Sequence, residues 1–190
     1  MYKRQRQLFA ESLRRFRELG DEHYTLLATR LLAWMHYELG DIARARALHE
    51  DNLSRARAAG NERILATTLS ALAEYALREG RAKDAIPLLK EADRIHRDLG
   101  NPEEIAVDLC RFAYALAIEG RAGTAARVLS CSEALREEIG ASISWLADIY
   151  EETQTSIRAQ LDEATFAEAW EQGQALTADE AVALALKMID

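Results

Sequence analysis

The chain has 190 residues, 49% of them hydrophobic, which suits one domain or one short repeat array with a continuous core. No apolar run approaches the roughly 18 residues of a membrane span, the basic start MYKRQRQLF leads into no apolar signal stretch, and Cys110 and Cys131 fit neither a disulfide framework nor a zinc site. A net charge of −8 speaks against general nucleic-acid binding, so the expectation is a cytoplasmic protein with no membrane partner, no nucleic-acid partner and no cofactor.

The charge is uneven. Residues 1–20 hold six cations against two acids, while residues 161–190 hold seven acids against Lys187. Glycine falls at 20, 40, 60, 80, 100, 120 and 140. Between these positions the sequence is rich in Ala, Leu, Arg and Glu, all good helix formers. Glycine just past a helix end takes the left-handed conformation at little steric cost. The comb therefore predicts successive helices of about 17 residues, each roughly 25 Å long. In chain order they cover 2–19, 22–39, 41–59, 62–79, 82–99, 102–119, 122–139 and about 142–160. Asp21, Asn61 and Asn101 stand where a side chain caps the next helix. Pro102, Glu103 and Glu104 then suit a first helical turn. Pro87 falls in the second turn of its helix and is expected to remove one hydrogen bond and kink it. A short helix follows from 163 to about Gln172, and Gly173 is read as a break. Thr177 and Glu180 form a capping box that opens the last helix. Val182, Leu184, Ala185, Leu186 and Met188 supply its apolar surface.

Folded at forty residues, the chain alternates two helix types. Type A covers 22–39, 62–79, 102–119 and about 142–160; type B covers 2–19, 41–59, 82–99 and 122–139. In type A, Leu32, Leu72 and Phe112 align, each followed by an alanine: Ala33, Ala73 and Ala113. In type B, Ala45, Ala85 and Ala125 align, four residues before His49, Leu89 and Leu129. Small residues let paired helices approach closely, and the large ones fill the space beside them. The segments LLAWMHYELGDIARARALHE (31–50), ALAEYALREGRAKDAIPLLKEA (71–92) and RFAYALAIEGRAGTAARVLSCS (111–132) resemble the tetratricopeptide repeat. They depart from its common form in length, and Arg57, Arg97 and Glu137 replace the usual helix-B proline. The resemblance implies an all-α fold, a right-handed α-solenoid of helix hairpins over 1–160. Within it, 1–20 is an unpaired B-type helix, 21–60, 61–100 and 101–140 are full repeats, and 141–160 is a degenerate A helix. Residues 161–190 are expected to be a C-terminal capping helix pair.

The tail carries a second resemblance. Phe166, Ala167, Ala169, Trp170, Gly173, Leu176, Glu180, Ala181 and Val182 are similar to the C-terminal end of LuxR-type bacterial transcription regulators of the signal-transduction ATPase class. The phosphate-binding G-x-x-x-x-G-K-[ST] of such regulators does not occur in this sequence, nor does an obvious helix-turn-helix. The resemblance thus implies a sensory or regulatory arm. A B-type first helix with no A helix before it agrees with an arm of something longer. Phe9, Leu13 and Phe16 are then expected to be partly uncovered, which makes a homo-oligomer through helix 1 a further expectation.

Catalysis is not expected, and neither is a metal. His36 and His49 fall in the bulky columns of one hairpin, where core packing with local hydrogen bonds accounts for them. No further ligand stands at a metal-site spacing. In tetratricopeptide arrays the A helices line a concave groove, so the resemblance implies a partner-binding stripe. By column it holds Arg30, Trp34, Tyr37, Glu74, Arg78, Cys110, Tyr114 and Tyr150, with Ser70, Leu77 and Val107 beside them. Large aromatics and arginine are the side chains that most often anchor an interface. The expected function is protein–protein interaction or effector sensing, as the C-terminal arm of a bacterial transcription regulator in signal transduction, with a protein or peptide as partner. The alternatives are a small-molecule or peptide receptor in the groove and an oligomerising scaffold.

Overall fold

The computed structural model describes residues 2–141 and 146–187, and no strand occurs among them. The helices are α1 (Tyr2–Glu18), α2 (Glu22–Glu38), α3 (Ile42–Ala59), α4 (Glu62–Arg78), α5 (Ala82–Asp98), α6 (Pro102–Ile118), α7 (Ala122–Glu138), α8 (Ala147–Arg158), α9 (Glu163–Gln174) and α10 (Ala178–Lys187). The fold is all-α, with consecutive helices packed on their neighbours in the manner of an α-solenoid. The expected start of the fourth A helix at 142 and Met188 of the last helix lie outside the described residues.

The glycine comb ends helices by one device. At Gly40 φ is +78°; its N–H donates to the Tyr37 carbonyl at 2.9 Å, and the Asp41 N–H reaches back to the His36 carbonyl at 2.9 Å. This pair of bonds closes a Schellman motif, which needs a residue in the left-handed region. The same φ sign recurs at all seven comb positions. Helix starts are fixed by side chains. Asp21, Asn61 and Asn101 accept from the amides of Tyr24, Ile64 and Glu104 at 3.1, 3.1 and 3.4 Å. Asp41 and Asp162 cap α3 and α9 in the same way. In the capping box, the Thr177 amide donates to Glu180 at 2.9 Å, and the Glu180 amide donates to the Thr177 hydroxyl at 3.3 Å. Helix α5 runs unbroken through Pro87.

The chain forms two compact units, residues 1–75 and 76–190. In the first, α1 packs on α2 and α2 on α3. Leu13, Ala28, Leu32, Ala33 and Leu48 make its buried cluster, and Phe9 and Phe16 pack against it. Leu13 is only 6% exposed, which corrects the expectation that it lies uncovered. The reason is that α2 itself lies across the apolar side of α1. Leu8 on α1 and Leu19, just past its end, remain 58% and 77% exposed. Arg55 ties α3 to α2 through both carboxylate oxygens of Glu22, at 2.9 and 2.6 Å.

In the second unit, α6 packs on α5 and α7, and α8 lies on α6 and α7. Phe112, Leu109, Leu116, Leu89 and Leu129 are fully buried. The alanine columns are buried as well: Ala85, Ala113 and Ala125 here, Ala33, Ala45 and Ala73 in the first unit. The tail folds back, with α9 lying on α7 and α10 on α7 and α6. Ser130 donates to the Trp170 carbonyl at 2.7 Å, and the Cys131 thiol to the Leu176 carbonyl at 3.3 Å. Gly173 is helical rather than a break. A Cβ there would stand 2.3 Å from the Arg127 carbonyl oxygen, so glycine lets α9 touch the backbone of α7. The glycine answers a close approach between helices and not a turn.

Candidate functional site

Four of the stripe residues belong to the first unit, and they are not equivalent. Arg30 is half-buried on α2. Trp34, one turn further, keeps 40% of its surface open. A large aromatic left in water at that level forgoes roughly 25 cal/mol for each Å² a core would cover. Tyr37 lies another turn along and is fixed rather than loose. Its hydroxyl donates to the Glu74 carboxylate on α4 at 2.8 Å. Its ring tilts against Tyr75 at 5.7 Å, and Tyr75 stacks on His49 at 5.7 Å. The Tyr75 hydroxyl and His49 Nδ1 are hydrogen-bonded at 3.1 Å, and the Arg46 guanidinium sits 5.5 Å above the Tyr75 ring. Tyr75 and Arg46 are therefore part of the support of this face, although neither falls in the sequence stripe. Tyr75 aligns with Met35 and Ala115, a column that reads as plain core.

The other four stripe residues belong to the second unit. Arg78 pairs with Glu152 of α8 at 3.1 Å. The Tyr150 hydroxyl donates to Glu133 of α7 at 2.7 Å, with the Arg136 guanidinium 5.6 Å above its ring. Burial first, then the carboxylate acceptor, pushes the Tyr150 phenol above its usual range. Tyr114 is half-buried. Cys110 is fully buried, which removes it from any open face. Its column is half-buried at Arg30, and α8 lies on α6 at the third instance. Ser70, Leu77 and Val107 of the expected stripe are buried too.

The histidines take local partners. His36 Nδ1 bonds Asp41 at 3.0 Å, which holds the Asp41 carboxyl below its usual range, while His49 bonds Tyr75. Among the described residues no three His, Cys, Asp or Glu side chains converge as a metal site would require. No described helix is long and apolar enough to cross a membrane.

A second constellation has no counterpart in the sequence reading. His96 of α5 bonds Asp108 of α6 through Nδ1 at 2.7 Å, and Arg111 lies 3.7 Å from the other Asp108 oxygen. Asp93, one turn before His96, accepts from Arg97 Nε at 2.7 Å. All of these side chains except Arg97 are buried. Arg97 reaches out to α10, where it bonds the Ala178 carbonyl at 3.0 Å and the Asp179 carboxylate. Burial pushes the Asp93 carboxyl up, against the pull of Arg97. The only sequence signal was an Asp amid the apolar run IAVDLC of α6.

Compared with known proteins, the chain matches no family model and no curated sequence. Its described residues form a helical repeat-like array of the α-solenoid kind.

Proposed function

We propose that the chain is a non-catalytic binding module of the tetratricopeptide type, whose first unit receives a protein or peptide on the face of α2 and α4. The observation that carries this reading is Trp34, a large aromatic kept open between half-buried Arg30 and Tyr37. Trp, Tyr and Arg are the residues in which interface hot spots are enriched. Their neighbours are held by the Tyr37–Glu74 bond and the Tyr75–His49 stack, so the face is ordered before any partner arrives. The column pattern supports the family reading: large–small pairs in A helices, alanines in B helices, and glycine turns between them. The tail resemblance supports a regulatory role as the arm of a bacterial ATP-dependent transcription regulator. The matched Phe166, Ala169, Gly173, Ala181 and Val182 are the residues that dock α9 and α10.

Trp34→Ala tests the reading. Partners crosslinked to the wild-type chain in cells are first identified, then titrated as purified proteins. Trp34→Ala is expected to weaken binding about thirtyfold, the equivalent of roughly 2 kcal/mol, with the melting temperature within a few degrees of wild type. Leu8→Ala, a change at a more exposed apolar side chain on α1, is expected to leave affinity unchanged. Equal affinity for wild type and Trp34→Ala overturns the assignment of this face.

A further inference from the structure

One cleft of the second unit gathers positive charge that no described acid answers. It lies between the α6–α7 turn and the α8–α9 turn, with a volume of 320 Å³ and Arg121, Gly123, Thr124, Arg127 and Leu161 among its walls. Gln160 ties the two turns together, its amide donating to the Ala117 carbonyl at 3.1 Å. The same turn sequence occurs once before. Gly80, Arg81, Ala82, Lys83 and Asp84 lead into α5 as Gly120, Arg121, Ala122, Gly123 and Thr124 lead into α7. In the earlier copy the cation is answered: Arg81 donates to Glu79 at 2.9 Å and to Asp84 at 2.6 Å. In the later copy Thr124 replaces that aspartate, and the first turn of α7 holds no acid. Arg127 stands where α5 carries Pro87, which adds a second cation. Neither Arg121 nor Arg127 has a carboxylate partner among the described residues, and Arg127 Nε is buried with no hydrogen-bond partner there. The acids that follow Leu161 are engaged: Asp162 accepts from the Thr165 amide, and Glu163 from Arg158. No side chain caps α7, so its first amides present the positive end of the helix dipole.

We propose that this cleft binds the phosphate group of a small phosphorylated molecule, held by the guanidinium groups of Arg121 and Arg127 and by the amides at the start of α7. The site belongs to the second unit and does not rest on the binding face assigned to the first. A guanidinium N–H buried without an acceptor is costly, and an anion in the cleft supplies the acceptor. Amides and dipole at a helix start favour the same charge. A phosphate brings three acceptor oxygens and up to two charges, where a carboxylate brings two oxygens and one charge. Two guanidinium forks and a row of uncapped amides make use of the larger set. Gly123 lets a ligand approach the backbone, since a Cβ there would meet nothing within 4 Å. The volume falls within the roughly 300–1,000 Å³ of small-molecule sites, which leaves room for an organic part beside Leu161. A long polyanion is disfavoured by the net charge of −8.

Titration of the isotope-labelled 190-residue chain with ribose 5-phosphate, followed by backbone amide shifts, reads the site residue by residue. The amides of residues 122–124 are expected to shift and saturate with a Kd of about 1 mM or tighter. Ribose and acetate at the same concentrations are expected to leave them in place. Arg127→Gln is expected to weaken binding about tenfold, and Arg121→Gln, at an exposed position, about fivefold. Thr124→Asp returns the acid that α5 carries as Asp84, and is expected to abolish binding with the melting temperature unchanged or raised. If Arg127→Gln does not fold, Arg121→Gln and Thr124→Asp decide. The absence of a saturable shift at 122–124 with ribose 5-phosphate overturns the proposal. So does an equal response to acetate, or wild-type affinity in Thr124→Asp.

Discussion

Tyr150 couples the second unit to alkaline pH. Its phenol is half-buried on α8 and donates to Glu133, and both burial and that acceptor favour the neutral form. The folded value thus lies above the unfolded one. The stabilisation is fully present below about pH 10, the ordinary value of a tyrosine, and is lost as pH rises beyond it toward the folded value. Tyr150→Phe is expected to cost about 1 kcal/mol at pH 8, a typical net hydrogen bond. It is also expected to lose less stability than wild type between pH 8 and 11, with urea midpoints at the two pH values as the measurement. At this scale the sequence told part of the story. The alanine columns were legible because a close contact admits only a small side chain, whatever surrounds it. The position of Cys110 was not, because its exposure depends on α8, a helix forty residues away in chain that lies across α6. Nor was the His96 cluster, whose members lie on two helices and become a unit only when α5 and α6 are side by side.

Among the elements, α9 shows what a glycine does when it is not a turn. The seven comb glycines have left-handed backbones and open space where a Cβ would go, whereas Gly173 has an α7 carbonyl in that space. Helix ends were legible because capping chemistry is local. The role of Gly173 was not, because a glycine spaced for contact and one spaced for a break look alike until the partner helix is known. Gly173→Ala sets a Cβ against backbone, which cannot rotate away, so α9 must shift. A loss of about 1–3 kcal/mol is expected, as for an overpacked contact, together with faster hydrogen exchange in 163–174. Gly123→Ala is the control. Gly123 lies in the first turn of α7 with nothing within 4 Å of its Cβ position, so this change is expected to be neutral or to stabilise by up to about 1 kcal/mol. Equal losses from the two variants would show that the contact with Arg127 does not set the position of α9.

For the molecule as a whole, the open question is what α1 contributes to the first unit. A B-type helix at the start of the array reads in sequence as a sticky end. The structure gives Leu13 to the core and sets Phe9 and Phe16 against it. Three apolar side chains at that interface make α1 a structural member, since a fully buried Leu or Phe contributes roughly 1.5–3 kcal/mol. Deleting residues 1–20 should then expose Ala28, Leu32 and Leu48 from the other side. The expected result is a chain that melts at a lower temperature and associates more than the 190-residue chain at micromolar concentration, measured by calorimetry and sedimentation velocity. The charges of the two chain ends add little at ordinary salt, because exposed opposite charges are screened within about 10 Å. A shortened chain that keeps its melting temperature would show that α1 packs on α2 without supporting it. One that turns from dimer to monomer on deletion would return residues 1–20, through Leu8 and Leu19, to the role of an interface between copies.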